Sequence, residues 1–464
     1  MAKKLVKGAY LALGAGPTDY SAQVKGASLT VSCPEGDGFN CTNGCTALEG
    51  SSALIDVSLG PVPDIAGRKY PAVLAGKLYP GGIPIFDESE LVEVIQRDKP
   101  DVAVFSYSDV TYDTIGHLAA LCIAHGVDFE LLGADKTMIK STKPVIAITA
   151  VRTGAGKSQT TRQVGELLVQ AGLRVALVRH PMPYHDLEAI AVQRFATLAD
   201  IDASNPTIEE REEYERPVSM GMIMYAGVDY GAILEQAQAE ADVVVWDGGN
   251  NDLPFFAPDL MVVVADPLRA GDELRFHPGE ANLRMADVVV INKVDTATPE
   301  QVATVAANTA AVNPGAVVLR AASPVTLQEG PSLRGEPVLV VEDGPTITHG
   351  GMGFGAGTVA ALAAGAVPVD PRPYAAGSLA DKYTRIPHIG AVLPAMGYSD
   401  AQLADLQATI DATPCTAVIA GTPIDLGRLV TGTRPIRETG YELQQRGGPP
   451  LAELLAPVIA RARA

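Results

Sequence analysis

The segment Gly154-Ala155-Gly156-Lys157-Ser158-Gln159 sets two glycines, an ammonium and a hydroxyl at the spacing that cradles a polyphosphate. Glycines let backbone N–H groups close around phosphate oxygens, and a following helix N-terminus adds positive potential. Lys157 then reaches the β- and γ-phosphates while Ser158 ligates Mg2+. All six residues are therefore expected to bind a nucleotide. The usual pattern opens with a glycine five residues before Gly156, and here that position is Val151. Arg152, within the loop, is expected at the transferred group or the substrate.

Further along, Ala241-Asp242-Val243-Val244-Val245-Trp246-Asp247-Gly248-Gly249-Asn250 reads as a buried strand that ends in an acid and two glycines. Asp247 there is expected to act catalytically by holding Mg2+, as a carboxylate at a neighbouring strand end does in nucleotide-hydrolysing folds. A parallel strand ends in Asn292-Lys293-Val294-Asp295. This resembles the element that reads a base in GTPases, where a carboxylate accepts from ring and exocyclic N–H groups. Asn292, Lys293 and Asp295 are expected to contact the base, with guanine and adenine both open.

Two basic loops stand out in an acidic chain. One is Arg179-His180-Pro181-Met182-Pro183-Tyr184-His185, after the strand Val175-Ala176-Leu177-Val178, with Arg194 expected on the next helix. The other contains Arg269, Arg275 and His277, with Arg284 shortly after. Guanidinium forks suit phosphate, so Arg179, His180, Arg269, Arg275 and Arg284 are the expected substrate-binding residues for a polyanion.

The elements that position these groups alternate between short apolar runs and helical patterns, as βαβ units do. The strand Pro144-Val145-Ile146-Ala147-Ile148 leads into the glycine loop, and a helix is expected from Gln163 to Ala171. In the first unit, a strand over Val102 to Tyr107 precedes a helix over Thr114 to Ala124, leaving Ser106, Ser108 and Asp109 at a strand end where open sheets bind ligands. Asp343, Thr346 and Thr348 hold the matching place in a third unit, ahead of the glycine-rich stretch Gly350 to Gly357. For these two loops a ligand site and a helix cap are both open. The run Glu209 to Glu215 reads as a solvated helix face.

The fold class expected is α/β, with a central P-loop NTPase domain on a parallel sheet, flanked by N-terminal Rossmann-like and C-terminal α/β domains. The boundaries are 1–140, 141–330 and 331–464, with 20–60 an atypical, weakly periodic insertion. A net charge of −19 speaks against nucleic acid, which needs a concentrated basic face. No run is long and apolar enough for a membrane span, so a cytoplasmic protein with no membrane partner is expected. Five cysteines form no evident disulfide framework, and Cys33, Cys41 and Cys45 lack a second Cys/His pair for a metal.

Several stretches together resemble the cyclic 2,3-diphosphoglycerate synthetase family: Ile139 to Ala147, the glycine loop, Arg179 to Tyr184, Trp246-Asp247-Gly248-Gly249-Asn250-Asn251-Asp252, Asn282 to Asp287 and Val341 to Thr346. The similarity runs from about Pro63 through Pro394-Ala395-Met396-Gly397-Tyr398 to Gly421-Thr422-Pro423-Ile424-Asp425-Leu426. It implies an ATP- and Mg2+-dependent ligase that closes an intramolecular phosphoanhydride in 2,3-bisphosphoglycerate, releasing ADP and phosphate, and a homodimer. Residues 14–60 depart from the family, and Pro17 removes a backbone donor where a phosphate-binding turn would use one. The same motifs also serve two other classes: a P-loop GTPase with a regulatory or metal-delivery role, and a nucleotide-gated interaction module.

Overall fold

The computed structural model describes residues 10–14, 54–58, 67–75, 79–179, 187–204, 206, 208–248, 252–348, 351–395, 400–422, 426–432 and 434–464. His180, His185 and the cysteines 33, 41 and 45 lie outside the described residues.

A nine-stranded sheet forms the centre. In spatial order its strands are Gln193–Phe195, Ile223–Ala226, Val175–Arg179, Val243–Asp247, Val145–Ala150, Leu260–Ala265, Val288–Ile291, Val317–Ala322 and Gln444–Gly447. The interior pairings are parallel, and the two edge strands are antiparallel. Val145–Ala150 is the fifth of the nine, and every residue in it is buried. An uninterrupted Val/Ile/Ala run is what a strand covered on both faces requires. One face packs Ile146, Ile148, Val245 and Val262 under the helices. The other packs Ala147, Val244, Trp246 and Val263 against Tyr230, Phe255 and Phe256.

Two further sheets flank it. The N-terminal one orders Lys69–Tyr70, Ile83–Asp87, Leu54–Ser58, Tyr10–Gly14, Val102–Phe105 and Asp128–Leu131, parallel except at Lys69–Tyr70. The C-terminal one orders Val325–Leu327, Ile436–Tyr441, Ala417–Gly421, Pro337–Glu342 and Val367–Pro368, with Leu393–Pro394 also paired to Pro337–Glu342. The expected 330/331 boundary needs correction at both ends. Val325–Leu327 already pairs in the third sheet, and the chain later returns to the centre through Gln444–Gly447. The helix Leu451–Arg463 then buries Leu451, Leu455 and Val458 in the central core. That spacing of four and three is one helical face, which must be covered.

Local corrections have equally local causes. The helix after the glycine loop spans Lys157–Gln170 and so starts six residues before the expected Gln163. Its first turns are polar and carry no apolar periodicity to read. The helix Tyr112–Ala124 starts two residues early, because Thr111 caps it by accepting from Thr114 N at 3.2 Å. Arg194 lies on the edge strand Gln193–Phe195 and not on a helix, and its guanidinium forks onto Glu240. The acidic run forms the helix Ile208–Ser219, but not as a solvated face. Glu210 and Tyr214 are each 1% exposed, since residues three and four apart share one side of a helix. Tyr214 stacks on Phe195 with ring centroids 4.9 Å apart. Among the described residues, no helix is long and apolar enough to cross a membrane.

Candidate active site

The loop after Val145–Ala150 is shaped by backbone constraints before any ligand contact. Gly154 has φ 76° and Gly156 φ 108°, values in the left-handed region that side chains avoid. A Cβ at Gly156 would also strike the Asn292 amide and lie 2.5 Å from Gln159 Nε2. Val151, where a glycine is usual, has no positive φ; its N–H donates to Val264 O at 3.0 Å and its side chain is buried. No glycine is needed there.

Asn292 and Lys293 hold this loop from behind. Asn292 Nδ2 donates to Ala155 O at 3.0 Å, and Lys293 Nζ donates to Gly154 O at 2.7 Å while pairing with Asp266 at 2.9 Å. Both side chains thus brace loop carbonyls. Asp295 is exposed, with one carboxylate oxygen accepting from Ser323 N at 2.9 Å, and Gln159 Nε2 donates to Ser323 Oγ at 3.1 Å. Arg269 adds another brace, donating to Thr153 O at 2.7 Å and to Asp266 at 2.8 Å.

Beside the loop, four charges form a chain. The Lys157 ammonium donates to Asp247 and, at 2.5 Å, to Gly248 O. The other Asp247 oxygen accepts from Arg179 at 2.8 Å, and Arg179 donates onward to Glu213 at 2.5 Å. Burial alone would raise the Asp247 pKa, yet the Lys157 and Arg179 charges outweigh it and hold the carboxyl below its usual value. For Glu213 burial wins over the pull of Arg179, with the Asp247 and Asp343 charges adding to the rise. Asp247 is therefore an ionised oxygen donor, and Ser158 opens the facing helix. Mg2+ takes one or two such protein oxygens beside substrate phosphates, so these residues fit it. Thr153 Oγ1, buried in the loop without a hydrogen-bond partner among the described residues, fits a phosphate ligand as well.

The flanking units both reach this loop. From the N-terminal one, Asp109 accepts from Arg152 Nε at 2.6 Å and Thr153 N at 3.4 Å. Arg152 also pairs with Asp272 and lies 3.5 Å from the centroid of the Phe276 ring. Its guanidinium thus ties the N-terminal unit to the central one. From the C-terminal unit, Thr346 faces Gly154, where a Cβ would lie 2.9 Å from its Cγ2. Asp343 caps its own helix, accepting from Thr346 N at 3.2 Å and Thr346 Oγ1 at 2.5 Å, and burial raises its pKa. Thr348 bonds back to Gly344 O at 2.8 Å, while Ser106 and Ser108 are buried.

Among the expected substrate arginines, Arg179 joins the charge chain and Arg269 braces the loop. Arg275 is exposed, its carbonyl accepting from Tyr112 N at 3.1 Å. Arg284 is 52% exposed and pairs with Glu280 on its own helix. Glu213 is a site residue that the sequence reading missed; it lies in the run read as a solvated face, three residues from Glu210, which the structure buries.

A strand, a glycine loop, a lysine opening the next helix and an acid at the neighbouring strand end define a P-loop NTPase-like domain in an α/β protein. Residues 236–320 match the family described as CobW/HypB/UreG, nucleotide-binding domain. Arginine synthetase ArcE of Thermococcus kodakarensis is 52% identical over 395 residues, covering 85% of this chain and 88% of its own. The chain belongs to the arginine synthetase ArcE family. Among solved structures, LpxK from Aquifex aeolicus in complex with ATP aligns with a TM-score of 0.38 at 15% identity, over 75% of this chain and 95% of that one. Hydrogenase maturation factor HypB from Archaeoglobus fulgidus aligns with a TM-score of 0.26 at 18% identity, over 39% of this chain and 80% of that one.

Proposed function

We propose that this protein is an ATP-dependent ligase that makes arginine. The observation that carries the reading is the 52% identity to arginine synthetase ArcE over most of both chains. Building a guanidinium from the corresponding ureido compound, citrulline, means replacing a carbonyl oxygen by nitrogen, and oxide does not leave unaided. Transfer of the γ-phosphoryl group of ATP to that oxygen releases ADP and creates a phosphate leaving group. Ammonia then adds to the carbon, the C–O bond breaks, phosphate departs with a proton from the entering nitrogen, and the guanidinium remains.

The residues divide this work by charge and position. Backbone N–H groups from Gly154 to Ser158 and the Lys157 ammonium hold the triphosphate. Ser158 and Asp247 hold Mg2+, which neutralises phosphate charge when bound. Asn292, Lys293 and Asp295 keep the loop in shape and offer a carboxylate to a base. Glu213 and Asp343, both with raised pKa, suit a site where a cation forms and protons leave an amine. Charge balance supports the same choice: Arg179, Arg269 and Arg284 each already hold a carboxylate, so most of the arginines expected to grip a bisphosphate are engaged.

A second reading keeps 2,3-bisphosphoglycerate as the substrate and its cyclic phosphoanhydride as the product. It is favoured by the stretches around Arg179, Trp246 to Asp252 and Val341 to Thr346 quoted above. Incubation with ATP and Mg2+ plus either citrulline and ammonium or 2,3-bisphosphoglycerate, with GTP alone as a third arm, separates the readings. Arginine in the first arm is expected. A cyclic product by 31P NMR transfers the assignment to the second reading, and substrate-independent GTP hydrolysis alone overturns both.

A further inference from the structure

We infer that Arg162 receives the anionic end of the small substrate, one helical turn beyond Ser158. Its ligand is a carboxylate or a phosphate carried by the molecule that accepts the phosphoryl group.

Arg162 differs from the other cations around the loop. Arg152 holds Asp109 and Asp272, Arg179 holds Asp247 and Glu213, Arg269 holds Asp266, and Lys157 holds Asp247. The Arg162 guanidinium makes no hydrogen bond or ion pair with the described residues; it lies 5.8 Å from the centroid of the Tyr441 ring. Arg162 is half-buried on the helix Lys157–Gln170, four residues after Ser158. Residues at that spacing share a face with Cβ atoms about 5–6 Å apart, so Arg162 lies on the side of the helix that carries Ser158.

Electrostatics sharpen the case. Tyr441, then Glu213 and Asp247, favour the Arg162 charge, yet both carboxylates are already bonded to other cations. Burial is the largest influence disfavouring that charge, and Arg216, an exposed arginine on the helix Ile208–Ser219, opposes it too. A partly desolvated cation without a bonded anion is costly unless a ligand supplies one. Here the ligand sits where the transferred phosphoryl group arrives. An amino-acid substrate offers its α-carboxylate and a bisphosphate offers its second phosphate.

The proposal rests on the ligase reading for its choice of probes, but its test needs no turnover. The full chain is labelled with phenylglyoxal, which modifies accessible guanidinium groups, and Arg162 is followed by peptide mass mapping. Citrulline, 2,3-bisphosphoglycerate and ATP are each added in turn. Arg162 should be modified in the free protein and protected several-fold by citrulline or by 2,3-bisphosphoglycerate; which one protects names the source of the anion. Equal labelling with and without both probes, or protection by ATP alone, overturns the proposal. Arg162→Met should raise the KM of the substrate identified by product assay roughly tenfold, with the KM for ATP nearly unchanged, and Arg162→Lys should recover part of that loss. A variant altered only in melting temperature contradicts it.

Discussion

Asp109 and Arg152 tie the N-terminal unit to the phosphate loop through a pair whose side chains are only 5% and 6% exposed. Asp109 reaches this position with φ 62°, and its N–H donates to His277 O at 2.8 Å. The adjacent strands Val110–Thr111 and Phe276–His277 form a two-stranded antiparallel ribbon across the same junction. One carboxylate thus meets both a loop guanidinium and a loop amide.

Asp109→Ala should cost about 1–3 kcal/mol, since it leaves Arg152 buried with a partner lost. Thermal denaturation checks this through a double-mutant cycle with Arg152→Met. The double variant should be more stable than the sum of the two single losses, because neither Asp109 nor Arg152 is left facing a lost partner, and loss of the Asp272 contact is common to Arg152→Met and the double variant. Strict additivity would show that the pair contributes nothing as a pair.

His277 makes the same junction sensitive to acid. Its ring meets Phe105 and Tyr112 at centroid distances of 5.8 and 6.3 Å, and burial pushes its pKa from 6.5 down to about 4. The folded protein therefore binds fewer protons than the unfolded chain between those values. The stability from a neutral His277 is fully present above pH 6.5 and is lost as pH falls towards 4, at up to about 1.4 kcal/mol per pH unit. Melting temperature should drop more steeply from pH 6.5 to 4.5 in the wild type than in His277→Gln; parallel curves would place the acid sensitivity elsewhere.

Asp247→Asn removes the charge between Lys157 and Arg179 while keeping the side-chain shape. Apparent Mg2+ affinity in nucleotide turnover should weaken on the order of 100-fold, while nucleotide binding measured by titration in EDTA persists. An unchanged Mg2+ dependence removes Asp247 from the metal site.

Gly156→Ala tests whether loop shape, not composition, holds the phosphates. Gly156 combines φ 108° with contact against Asn292, whereas Gly126 has φ 79° with nothing within 4 Å of an added Cβ. Each alanine costs about 1–2 kcal/mol of backbone strain. Only Gly156→Ala should abolish nucleotide binding in a titration, and equal affinities for the two variants would refute the geometric account.

The glycine loop and the strand ending in Asp247 were legible in the sequence because local chemistry dictates them: a continuous apolar run, then glycines, then a helix. The three-unit plan followed from alternating periodicities, but the return of Gln444–Gly447 and the helix Leu451–Arg463 to the central sheet did not. An apolar face announces burial without naming the surface that covers it. Glu213 was misread because charge runs are ordinarily solvated, and its pairing with Arg179 is a tertiary contact that the run does not announce. Arg152 was expected at the transferred group from its place in the loop; its bond to Asp109, 43 residues away in sequence, was not legible there.

The central claim, a ligase that phosphorylates an oxygen in order to expel it, is tested most directly by isotope transfer. Citrulline labelled with 18O at the ureido oxygen is incubated with the protein, ATP, Mg2+ and ammonium, and the released phosphate is analysed by mass spectrometry. The account predicts arginine formation with one 18O atom in each phosphate, and with Lys157→Ala neither product. Arginine formed while the phosphate carries no 18O would contradict it, as would ADP formation with citrulline left intact.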